Sequence, residues 1–81
     1  MEKISPEKIV DFIVKTLVDN PDKVEIKTIE GERTVIIELK VGAEDIGKVI
    51  GKQGRIARAI RTILAAVASK IGKRITLEIL D

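Results

Sequence analysis

The period of the apolar positions switches along this 81-residue chain between that of a helix and that of a strand. Ile9, Val10, Ile13, Val14 and Leu17 recur at helical spacing, with Phe12 and Val18 widening the stripe, so residues 6–19 predict an amphipathic helix. Ser5-Pro6-Glu7 suits its start: the serine can cap free amides, the proline fits the first helical position, and the glutamate favours the dipole. Asn20-Pro21-Asp22 stops it. The helix is expected to cover a sheet in a structural role.

From Lys23 the period becomes two. Val24, Ile26 and Thr28 alternate with Lys23, Glu25 and Lys27, the mark of a strand with one buried face. Glu30-Gly31-Glu32 is a turn, and Val35, Ile37, Leu39 and Val41 then alternate with Ile36, Glu38 and Lys40 in a second strand. The two read as a hairpin. Gly42-Ala43 ends it, and Glu44 and Asp45 place acids at the start of a short helix over 44–50, where the dipole favours them.

A second, longer helix is expected over 55–71. Ile56, Ile60, Leu64, Val67 and Ile71 form its core face, and Arg55, Arg58, Arg61 and Thr62 fall opposite. Ile63 sits at the edge of the apolar arc beside Ala59 and Ala66. That strip is either ordinary core or a surface for another chain. Gly72 ends the helix, and Ile75, Leu77 and Ile79 alternate with Thr76 and Glu78 in a last strand. The order is α-β-β-α-α-β. A strand reached through a helical crossover pairs in parallel by a right-handed connection. The expected fold is therefore α+β, one domain over 1–81, with a three-stranded mixed sheet covered on one face by three helices.

At 44% hydrophobic and 35% charged, the composition is that of a folded domain. Its apolar runs are a few residues, far short of the roughly 20 that span a bilayer. No amino-terminal stretch has the basic-then-apolar pattern of a signal peptide, so a cytoplasmic protein is expected. With no cysteine or histidine, no disulfide and no metal site or other cofactor is expected. The net charge of +2 conceals an imbalance: residues 1–46 carry 7 Lys/Arg against 11 Asp/Glu, and residues 47–81 carry 8 against 2. A basic second half points to a polyanionic partner, against the plainer reading of a solvated helix surface.

That basic half opens on Gly51-Lys52-Gln53-Gly54, a turn between two helical patterns. Glycine lets backbone approach another molecule closely, and the first amides of the helix that follows lack intrahelical partners. Free donors and the dipole together suit a phosphate, and Lys48, Lys52, Arg55, Arg58 and Arg61 surround the turn. The plain alternative is a corner whose glycines serve packing alone. Gly42 to Lys48 also fits the opening of a Walker A loop, but Val49 stands where a magnesium-binding Ser/Thr belongs. Catalysis is not expected: the chain has no His, Cys or Tyr, and Ser5 and Ser69 read as a cap and a helix residue. Its carboxylates scatter over predicted solvent faces.

Ile50-Gly51-Lys52-Gln53-Gly54, in this element order, resembles the KH domain in its bacterial type II arrangement. The segment Asp45 to Ile63 is similar to the KhpA family of small stand-alone bacterial KH proteins, and the likeness covers essentially the whole chain. The resemblance implies single-stranded RNA binding, with the loop clamping the backbone of about four nucleotides. Mapped here, it implies that Gly51 and Gly54 admit the backbone and that Lys52 and Gln53 face phosphates. Ile46, Val49, Ile50 and Ile56 would floor an apolar groove for the bases. Lys48, Arg55 and Arg58 would add charge, and Arg74 and Thr76 would supply the far wall. The resemblance also implies homodimers, a larger RNA-binding partner, KhpB (Jag or EloR), RNA chaperoning, and links to cell-envelope and cell-length control. With Phe12 as the sole aromatic, on a core helix, base contacts must rest on aliphatic groups, backbone and Arg planes. No membrane association is implied.

Overall fold

In a computed structural model, which describes residues 5–80, the first helix, α1, runs Pro6–Leu17. The Ser5 side chain accepts a hydrogen bond from the Lys8 amide at 3.3 Å, the cap that its position suggested. The chain leaves the helix at Val18 in extended conformation, earlier than the apolar spacing implied. The reason is tertiary: the next two amides, of Asp19 and Asn20, donate to the Asp45 carboxylate instead of continuing a turn.

Strands β1 (Glu25–Glu30) and β2 (Thr34–Lys40) pair antiparallel, and β3 (Arg74–Leu80) joins β2 in parallel, giving the order β1-β2-β3. This is the mixed sheet that the crossover required. The register sets Ile26 and Thr28 against Leu39 and Ile37, and Val35, Ile37 and Leu39 against Ile75, Leu77 and Ile79. These residues face the helices. Lys27, Ile29, Ile36, Glu38, Thr76 and Glu78 line the other face, where Ile29 is exposed.

Helix α2 is short, Ile46–Ile50, and is entered through a 3-10 turn over Ala43–Asp45, where the sequence suggested one continuous helix. A further 3-10 turn, Lys52–Gly54, leads into α3, Arg55–Ile71. The core joins Val10 and Val14 of α1, Ile37 and Leu39 of β2, Val49 of α2, Ile60 and Leu64 of α3, and Leu77 of β3. Burying each such side chain contributes about 1.5–3 kcal/mol before entropy is counted. Three helices on one side of the three-stranded sheet, in the order α-β-β-α-α-β, make the type II KH arrangement.

Two expectations fail inside this frame. Phe12 is not core: its residue surface is 73% exposed. It lies two positions from both Val10 and Val14, about 200° around the wheel, so those two buried valines turn it outward. Asp45 is not on a solvent face: it is 0% exposed, the one buried charged residue among those described. Its role is to hold α2 to the end of α1, rather than to meet a dipole.

Candidate functional site

Helix α2 ends at Gly51, whose φ of 77° and ψ of 173° belong to a region that only glycine occupies readily. A Cβ there would stand 2.6 Å from Ile56 Cγ1. Gln53 (φ 57°) and Gly54 (φ 73°) follow in left-handed backbone. The turn is closed by hydrogen bonds from Gly51 N to Gly47 O at 2.9 Å and from Gly54 N to Gly51 O at 3.2 Å. The two glycines therefore differ. Gly51 is needed both for its backbone angles and for close packing on Ile56. Gly54 is needed for its angles alone, since a Cβ there would meet nothing within 4 Å. Lys52 and Gln53 are exposed at the tip, so the bend faces solvent.

Beside it, Ile50, Gly54, Ala57, Arg58, Arg61 and Ile79 bound a groove of about 490 Å³. Gly54, Ala57, Arg58 and Arg61 follow i, i+3, i+4, i+7 spacing and so share one face at the start of α3. Arg61 Nη2 donates to the Leu77 carbonyl at 3.1 Å, on the sheet's outer strand. Arg55 Nη2 donates to Gln53 Oε1 at 3.2 Å and steadies the tip. Among the described residues, no carboxylate pairs with Lys52, Arg55, Arg58 or Arg61. Their charge is left without an acidic partner among these residues.

The structure gathers Ile50, Gly51, Lys52, Gln53, Gly54, Arg55 and Arg58 around the bend. It places other expected residues elsewhere. Lys48 turns away to Asp19 Oδ2 at 2.5 Å and Asp45 Oδ1 at 3.7 Å. The hydrogen bond to Asp19 raises the Lys48 ammonium above its ordinary value, against the effect of desolvation. Val49 is wholly buried and supports the groove from beneath. Ile46 and Ile56 are half-buried against the core, Ile56 directly under Gly51. Thr76 borders a smaller pocket of about 180 Å³ with Arg61, Leu64, Ile75 and Leu77. Arg74 pairs with Thr34 at the start of β3, about 16 Å along the strand from Ile79. Ala59, Ile63 and Ala66 are exposed together on α3, so Ile63, at 44% exposure, is not ordinary core.

Sequence reasoning missed the apolar lining supplied by Ala57 and Ile79 and the inward reach of Arg61. The helical spacing from Gly54 carried the signal for Ala57 and Arg61. Ile79 needed the register of β3, which the chain alone does not give.

A second cluster anchors the site. The buried Asp45 carboxylate accepts from Asp19 N at 3.1 Å, Asn20 N at 3.0 Å and Asn20 Nδ2 at 3.3 Å. Burial pushes its pKa up, but these three donors and the Lys48 charge outweigh that and hold it below the usual aspartate value. Glu44 is likewise lowered, by a hydrogen bond from its own amide and then by Lys23 at 3.1 Å. Among the described residues no group of His, Cys, Asp or Glu could hold a metal ion, and no helix is long and apolar enough to cross a membrane.

Comparison with known proteins identifies a family. The family model for the KhpA/KhpB KH domain matches residues 7–79. The chain is 64% identical to the RNA-binding protein KhpA of Aquifex aeolicus over 73 residues, covering 90% of this chain and 92% of that one. It is 59% identical to the KhpA of Caldanaerobacter subterraneus over 73 residues (90% and 97%) and 55% identical to that of Borreliella burgdorferi over 74 (91% and 90%). No solved structure gives a significant match. A family model spanning nearly the whole chain and relatives more than half identical to it show that the chain belongs to the KhpA/KhpB KH-domain family, which is not an enzyme family.

Proposed function

We propose that the chain binds single-stranded RNA, holding the sugar-phosphate backbone at Gly51–Gly54 and the bases in the groove along α3. The observation that carries this is the pairing of an open, left-handed Gly54 with unpaired cations on the same helical face. Lys52, Arg55 and Arg58 add positive charge where a phosphate would sit, at the start of α3, whose Arg55 amide is itself bonded to the Lys52 carbonyl. Ile50, Ala57 and Ile79 give the bases an apolar floor. Relatives named as RNA-binding proteins support the same reading.

Gly54→Asp is the test. Aspartate tolerates left-handed backbone, and the space at that Cβ is open, so the variant is expected to fold. Its carboxylate would repel phosphate, and affinity for a uridine-rich octamer is expected to fall at least tenfold. A folded variant that binds as tightly as the wild type would reject the site.

A second reading concerns partners. Ala59, Ile63 and Ala66 form an exposed strip on α3, away from the groove, and this favours a homodimer through that helix. Dimerising would double the binding surface and raise avidity. Association with KhpB, RNA chaperoning and a part in cell-envelope or cell-length control are supported by family resemblance alone. A cytoplasmic location and one domain over 1–81 belong to the same proposal.

A further inference from the structure

Arg61 separates two pockets. It borders the larger one beside Gly54 and also the smaller one under Ile75 and Leu77. Its guanidinium does not swing freely, because Nη2 is tied to the Leu77 carbonyl at 3.1 Å. A guanidinium carries five N–H donors in a fixed planar fork. One is used on Leu77, and among the described residues no carboxylate engages the rest. The groove therefore contains a pre-oriented donor plate on its wall, beside Ala57 and Ile79. Such a fork matches two adjacent acceptors. Guanine offers O6 with N7, and cytosine offers O2 with N3, whereas adenine and uracil set a donor beside each acceptor.

We propose that Arg61 is the base-reading residue of the groove, selecting guanine or cytosine over adenine or uracil at one position of the bound strand. This rests on the RNA-binding reading above and adds a preference to it. The experiment measures dissociation constants by fluorescence anisotropy for the octamers (UG)4, (UC)4 and (UA)4 at one fixed salt concentration. The expected result for the wild type is that (UG)4 or (UC)4 binds at least about threefold more tightly than (UA)4. One bidentate contact discriminates by about fivefold or more, diluted here because half of the registers put uridine at Arg61. Arg61→Lys keeps the charge and loses the fork, and is expected to bring the three affinities together. A merely structural role for Arg61 would shift all three alike and leave their ratio. Equal wild-type binding of the three strands, or a preference that survives Arg61→Lys in a folded variant, would overturn the inference and leave RNA binding standing. Failure of the wild type to bind any octamer would overturn the RNA-binding reading and this inference with it.

Discussion

The Asp45 carboxylate accepts a hydrogen bond from the backbone of Asn20 at 3.0 Å, joining the end of α1 to the start of α2 across 25 residues. Helix α2 has five residues, too few to be stable alone, so its direction is set by Val49 in the core and by this link. The Gly51–Gly54 bend hangs from the other end of α2. The groove's geometry thus depends on a carboxylate that no ligand would touch.

Asp45→Asn is expected to lower the melting temperature at neutral pH by roughly 5 °C or more, because charged acceptors make the stronger bonds to buried amides. The folded carboxyl lies below its unfolded value. Its stabilisation is fully present above the unfolded pKa and is lost as pH falls through the folded one. Thermal unfolding followed across acid pH should show the gap between wild type and variant closing in that direction. A gap that stays constant would mean that the charge is not what holds the link.

The two glycines of the bend should respond differently to alanine. At Gly51 the backbone region and the contact with Ile56 add up to about 2–5 kcal/mol. At Gly54 only left-handed backbone is at stake, costing about 1–2 kcal/mol. Urea unfolding of Gly51→Ala and Gly54→Ala orders them, and equal losses would contradict the packing described.

Phe12 and Leu64 make a comparable contrast in the body of the fold. Phe12→Ser should change stability by no more than about 0.5 kcal/mol, as expected of an outward side chain. Leu64→Ala should cost about 2–5 kcal/mol, since that leucine is 1% exposed. A Phe12→Ser variant that loses stability on the Leu64 scale would show that the phenyl ring is covered in solution.

Association through α3 is checked by sedimentation. Ile63→Asp is expected to give folded monomers whose melting no longer depends on protein concentration, because that side chain is exposed on the chain by itself. A monomeric wild type would remove the case for the strip.

Much of this fold is legible in the sequence. Spacing and punctuation located α3 from Arg55 to Ile71 because its apolar stripe and the terminal Gly72 agree, and alternation gave all three strands. What stayed hidden was tertiary. Phe12 looked like part of a stripe whose centre only packing against the sheet could define. Asp45 and Lys48 looked like local helix charges until the fold brought Asp19 and Asn20 beside them. The groove is half-legible: Ile50, Gly54 and Arg58 are read from the sequence, Ala57 and the inward Arg61 are missed although they follow Gly54 at helical spacing, and Ile79 and the Leu77 carbonyl arrive through the parallel pairing of β3 with β2.

The most direct measurement is an NMR titration of the amide-labelled protein with a single-stranded RNA octamer, under low salt. Shifts should concentrate on residues 51–58, on Arg61 and on Ile79, and should fade as salt is raised, because phosphate contacts release counterions. Shifts confined to the exposed sheet face around Ile29, or none at RNA concentrations that saturate related KH domains, would contradict the placement of RNA at this bend.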